Sequence, residues 1–210
     1  MRPDRPDRAE PDQASPISDR LIGWVLAVGG LLGGAAAFTL TVEKIALLRD
    51  PDYTPSCSIN PILSCGSVMN TPQAEVFGFP NPLIGVAMFP LVVATGVAVL
   101  GGIRLPRWWW LGLQAGTIFG IGLVHWLFAQ SLYRIGALCP YCMVVWVVTI
   151  VLFSYVTLHN LDRGHLPVPP SWRAAVTVVT RLHTAVPVAW LLILTVLVGE
   201  AFWTYWRTLL

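Results

Sequence analysis

Charge is what this sequence has least of. Only 11% of its 210 residues are Asp, Glu, Lys or Arg, while 55% are hydrophobic. Soluble domains carry about 25% charged residues, so this composition excludes a water-soluble globular fold. Other absences narrow the chemistry. There is no glycine-rich phosphate loop, no flavin, haem or nicotinamide motif, no internal repeat and no compact basic stripe. Nucleotide-driven reactions and nucleic-acid binding therefore have nothing to rest on. Cysteine is sparse as well: Cys57, Cys65, Cys139 and Cys142 are the full set.

What fills the chain instead is apolar sequence. A membrane-crossing helix needs roughly 20 apolar residues. Five segments qualify: 21–42, 83–103, 108–133, 138–159 and 186–206. The connections are too short for another folded domain, so residues 21–210 are expected to form a single all-α membrane domain. Residues 1–20, rich in Arg, Asp and Pro, read as a disordered cytoplasmic tail. The first segment is too long for the apolar region of a cleaved signal peptide and reads as a retained helix. Basic residues set the orientation. With the N-terminus inside, Arg2, Arg5, Arg8, Arg20, Arg104, Arg107, Arg163, Arg173 and Arg181 are cytoplasmic, and Lys44, Arg49, Arg134 and Arg207 are not. That distribution obeys the positive-inside rule for a multi-pass protein of the plasma membrane. The 43–82 loop and all four cysteines then lie on the exoplasmic side, where disulfides persist.

Small residues recur inside the spans, as Gly29, Gly30, Gly33 and Gly34 in the first and as Gly112, Gly116 and Gly120 in the third. Both sets are expected to let helix backbones approach closely. His125 lies inside a span and reads either as a functional ionisable group or as an imidazole bonded across helices.

Pro140 fits the first position of a helix, which makes Cys139 its N-cap. Unpaired N–H groups and the positive end of the helix dipole would favour the Cys139 thiolate. Cys142 falls one turn deeper. Cys57 and Cys65 are close enough to form a disulfide within the loop, and such a pair exchanges through attack by a thiolate. Two dithiols at one membrane edge suggest a relay from an external dithiol to a lipid-soluble acceptor such as a quinone. Two other readings stand beside it: inert disulfides that staple the loop of a non-catalytic scaffold for partner binding, and a four-cysteine zinc site. The wide Cys57–Cys65 spacing departs from the close pairs that zinc sites commonly use.

Taken together, several motifs resemble the vitamin K epoxide reductase family in its bacterial disulfide-forming, actinobacterial branch. They are the paired Cys57 and Cys65, the run from Cys65 through Gly66, Ser67, Val68, Met69 and Asn70 to Thr71, the run Phe79-Pro80-Asn81-Pro82-Leu83-Ile84-Gly85, and Cys139-Pro140-Tyr141-Cys142. The resemblance runs from about residue 21 to 159. It implies a four-helix bundle around a quinone, capped by the exoplasmic loop, with a fifth helix alongside. It further implies that Cys57 exchanges with a soluble partner, Cys65 attacks Cys139, and Cys142 reacts with the quinone. Asn81 would hydrogen-bond a quinone oxygen, and Thr71 stands where the family has a Ser or Thr. Trp146 departs from the pattern, occupying a position where animal members carry a quinone-contacting Tyr. Some bacterial relatives continue into a thioredoxin-like domain; this sequence stops at Leu210, which implies a separate DsbA-like thioredoxin-fold partner. The expected activity is disulfide-forming oxidation with a quinone, menaquinone by the actinobacterial resemblance, as acceptor and with no metal. The DsbB family does analogous chemistry on four spans, but with its two cysteine pairs in the opposite order.

Overall fold

A backbone in hydrocarbon must satisfy its own hydrogen bonds, so the apolar runs fold as helices. A computed structural model describes residues 17–50 and 52–207. In chain order its helices are α1 (Asp19–Arg49), the short α2 (Cys65–Met69), α3 (Pro82–Leu100), α4 (Arg107–Gln130), α5 (Pro140–Asp162), α6 (Arg173–Arg181), α7 (Ala185–Ala201) and α8 (Trp203–Trp206). Among the described residues the sole β pairing is one isolated bridge. Helices α1, α3, α4 with its extension to Ile135, and α5 are each long and apolar enough to cross a membrane. This is an all-α membrane protein.

The expected boundaries shift in three places. Most of the anticipated tail, residues 1–16, lies outside the described residues, yet Ile17 is fully buried and Ser18 caps α1 by accepting from the Leu21 N–H. At its other end α1 runs seven residues past the anticipated boundary at 42, because Glu43 and Lys44 find partners in the loop and need not break the helix. The fifth span is realised as the 17-residue α7, followed by α8. Residues Pro170–Arg181 approach it at a bend of 76°.

Helix α1 is the spine, packed along α3 and α5, and α4 packs on α5. Glycines make the α1–α3 contact possible, as anticipated. A Cβ on Gly96 would lie 2.5 Å from the Ala27 nitrogen, and one on Gly30 would lie 2.7 Å from Val93 Cγ2. The glycines of α4 behave differently, which corrects the sequence expectation. A Cβ on Gly112 would meet nothing within 4 Å, and one on Gly116 would meet Met88 Cε at 3.5 Å. Gly120 alone of the three faces a neighbouring helix closely, 3.3 Å from Thr149 Cγ2. Their column borders a cavity because α3 and α4 stand apart, bridged by side chains such as Trp109, whose Nε1 donates to Thr95 Oγ1. Sequence spacing marks a smooth helix face but not whether a helix or a void lies against it.

Fully buried Asn160 closes the end of the bundle remote from the cysteines. Its Nδ2 donates to Gln114 Oε1 and the Trp110 carbonyl, and its Oδ1 pairs with His165 Nδ1. Gly96→Val should therefore lower the thermal midpoint of the detergent-purified protein by the equivalent of about 2–3 kcal/mol, since backbone cannot step aside. Gly122→Ala, where a Cβ meets nothing within 4 Å, should leave it within about 0.5 kcal/mol.

Candidate functional site

Two backbone hydrogen bonds register the loop against the head of α5. Leu138 N–H donates to the Ile62 carbonyl at 2.7 Å, and Ser64 N–H donates to the Leu138 carbonyl at 2.9 Å. This is a parallel bridge between Leu63 and Leu138. The paired stretches, 62–64 and 138, end one residue before Cys65 and Cys139, so the bridge delivers both sulfurs to the same point.

Cys57 and Cys65 form a disulfide, with Cα atoms 5.6 Å apart. Cys139 and Cys142 are free thiols, and Cys139 Sγ lies 3.0 Å from Cys65 Sγ. Water is shut out: Cys65 and Cys139 are 0% and 1% exposed. Cys139 is the N-cap of α5 with Pro140 at the first helical position, as the sequence suggests, and its sulfur accepts from the Cys142 N–H at 3.4 Å. The Cys142 thiol, and after it the N–H groups of the helix start, hold the Cys139 thiol below its ordinary pKa against the opposing effect of burial. A thiolate in contact with a disulfide sulfur is the starting geometry for exchange. The Cys57, Cys65 and Cys139 sulfurs lie within 4.8 Å of one another. Two of those sulfurs are spent on their mutual bond and offer no thiolate to a metal.

Two neighbouring charges on α1 hold the loop over this point. Glu43 accepts from the Tyr53 and Ser56 hydroxyls, just ahead of Cys57. Lys44 donates to the Met69 carbonyl at 2.8 Å and pairs with Glu75 at 2.9 Å, just beyond α2. Both charges are 7% exposed. The Glu43 carboxylate also raises the Tyr53 pKa by accepting its hydrogen bond. The sequence reading places both residues in the 43–82 loop and assigns neither a role. The available signal was two opposite charges in succession directly after an apolar run.

Beneath the sulfurs, a cavity of about 390 Å³ runs between α1, α3, α4 and α5. Its volume is within the usual range for small-molecule sites. Its wall reaches from Lys44, Thr71 and Asn81 at the cysteine end to Trp108 and Trp109 near the other. Cys142 is on this wall, whereas Cys57, Cys65 and Cys139 are not. Trp146 is one turn deeper and lies edge-on to Phe128 at 5.1 Å. The Asn81 amide donates to the Gln73 carbonyl and accepts from the Val76 N–H, which leaves one amide hydrogen uncommitted. Thr71 donates to the Val68 carbonyl at 2.7 Å. The seven residues that the sequence assigns to the site thus gather around the sulfur cluster or on the cavity wall. His125 does neither: Trp190 Nε1 donates to its Nε2 at 2.9 Å, and its Nδ1 pairs with the Ile121 carbonyl. It is a bolt between α4 and α7.

With Cys57→Ala and Cys142→Ala combined, mild oxidation should close a Cys65–Cys139 disulfide rapidly and completely, as read by peptide mass mapping. Adding Glu43→Ala or Lys44→Ala should slow that closure about tenfold by freeing the loop. In the wild type, far-ultraviolet thiolate absorbance assigned to Cys139 should disappear on acidification with a midpoint below the usual value of about 8.5. Cys142→Ala should move that midpoint upward.

The model of the Vitamin K epoxide reductase family matches residues 24–157. That match takes in most of α1 through most of α5, with every cysteine. The thiol-disulfide oxidoreductase LTO1 of Arabidopsis thaliana is 34% identical over 91 residues, which is 39% of this chain. The chain covers 23% of that relative's length. With the family's matched region holding the whole sulfur cluster and cavity, this chain belongs to the vitamin K epoxide reductase family.

Proposed function

We propose that this protein is a membrane thiol:quinone oxidoreductase that reoxidises a separate DsbA-like thioredoxin-fold partner and so supports disulfide formation in exported proteins. The observation that carries the reading is an unbroken path for electrons. Cys139 lies 3.0 Å from Cys65, and Cys142, next in the motif, borders the apolar cavity. Family membership supports it, as does the similarity to a protein named a thiol-disulfide oxidoreductase.

The cycle balances as follows. Two thiols of the partner reduce the Cys57–Cys65 disulfide and leave as a disulfide. The Cys65 thiolate attacks Cys139 of an oxidised Cys139–Cys142 pair, and Cys142 departs as thiolate. Cys57 attacks Cys65, restoring the loop disulfide and releasing Cys139. Two electrons and two protons then pass to the quinone, giving quinol and regenerating the Cys139–Cys142 disulfide. An oxidised loop pair beside free Cys139 and Cys142 is the arrangement expected just before that last step. The pinned loop supplies proximity, which is worth far more than intrinsic thiol reactivity.

The quinone ring belongs beside Cys142, with Asn81, Thr71 and Trp146 around it. The cavity wall on α4, from Trp108 to Ser131, rises about 35 Å by helix geometry, enough for a polyprenyl tail such as that of menaquinone. Residues from Ile17 onward act as one membrane domain, with the start of α1 on the cytoplasmic side. By the distribution of basic residues, the cysteines face the exoplasmic side of the plasma membrane.

Anaerobic mixing of the purified chain with a reduced DsbA-like protein and menaquinone should bleach the quinone absorbance in proportion to partner oxidised. Cys142→Ala should abolish the bleaching. A stapled scaffold would give no cysteine-dependent change in either.

A further inference from the structure

We propose that the hydroxyls of Ser131 and Thr149 hold the two carbonyl oxygens of the quinone ring, each donating one hydrogen bond. The inference rests on the quinone reading above and names the side chains of this chain that would position its acceptor.

Both residues border the cavity, and both are nine-tenths buried, at 4% and 8% exposure. Neither hydroxyl bonds to any described residue, although serines and threonines elsewhere in these helices bond back to a carbonyl, as Thr95, Ser154 and Thr195 do. Several other polar groups on the same wall are already engaged, while Asn81 keeps one amide hydrogen that can share the carbonyl oxygen nearer the cysteine end. Lys44 holds Met69 and Glu75, Thr71 holds Val68, Thr117 holds Gln114, and Asn81 holds Gln73. A hydroxyl on an apolar cavity wall with no protein partner is a donor that a ligand oxygen can take up.

Depth makes the pair fit a quinone. Ser131 opens the π-helical turn Ser131–Ile135 that ends α4, one turn from Phe128, which meets Trp146 edge-on. Because α4 and α5 run antiparallel, Ser131 stands level with Cys142. Thr149 is seven residues past Cys142, hence on the same helix face and about 10 Å deeper. Across from it Gly120 lets α4 come close, the place of its missing Cβ being 3.3 Å from the Thr149 methyl Cγ2. The interval between the two hydroxyls suits the two opposed carbonyls of a para-quinone plus a hydrogen bond at each end. The ring edge is then presented to the Cys142 sulfur. Trp146, between them in depth, lies edge-on to Phe128 and lines the cavity with its indole ring.

The test uses the full chain in detergent, with dithiothreitol as reductant and menadione, a naphthoquinone without a tail, as acceptor. Ser131→Ala and Thr149→Val should each raise the KM for menadione about tenfold with a smaller change in kcat. Ser131→Thr and Thr149→Ser should restore it. Reduction of the Cys57–Cys65 disulfide by dithiothreitol and the thermal midpoint should stay at wild-type values, which a merely structural role would not allow. A KM within about twofold of wild type in both variants, while wild type turns over, overturns the hydroxyl assignment and leaves the quinone reading intact. Wild type that leaves menadione oxidised removes both.

Discussion

Everything at the cysteine end depends on the short pairing between residues 62–64 and Leu138. A membrane bundle fixes its helices well, but a loop of some thirty residues has no reason to favour one position above it. Two backbone hydrogen bonds, with the Glu43 and Lys44 anchors on either side, reduce that freedom to a single register. The sulfur of Cys65 is then in contact with that of Cys139 before any chemistry begins. Each anchor alone is ordinary. Their arrangement is not, because one holds the segment before Cys57 and the other the segment after α2, leaving the disulfide suspended between two fixed points.

The second constraint is the start of α5. Pro140 gives up an N–H that would have no partner there, and Cys139 occupies the cap, accepting from the Cys142 N–H. One helical turn then separates a sulfur facing the loop from a sulfur facing the cavity. The motif thus lies across the boundary between a buried exchange site and an apolar chamber. Both thiols belong to the same two-electron couple, so in the proposed relay electrons would cross that boundary without any group having to travel through the bilayer.

Much of this was legible in the sequence. The four long spans, the N-cap position of Cys139, the closeness of the two dithiols and the grouping of Asn81, Thr71 and Trp146 around one place all follow from residue order, helix rules and family resemblance. What was not legible depends on contacts between distant parts of the chain. Glu43 and Lys44 read as loop charges because their partners lie ten to thirty residues away in a segment without periodicity. The α4 glycines read as a packing face because a void and a close-packed helix call for the same small residues. His125 read equally as functional or structural until Trp190, 65 positions later, supplied its partner.

The open column of Gly112 and Gly116 has a consequence for how such a protein can diverge. Chamber width there is set by hydrogen atoms rather than side chains, well away from the sulfurs. A single added methyl group narrows the passage without disturbing thiol acidity, loop register or the α1–α3 seam. If the cavity holds the acceptor as proposed, acceptor size and redox chemistry are written on separate surfaces of the same helix bundle, and selection can adjust one while the other stays fixed.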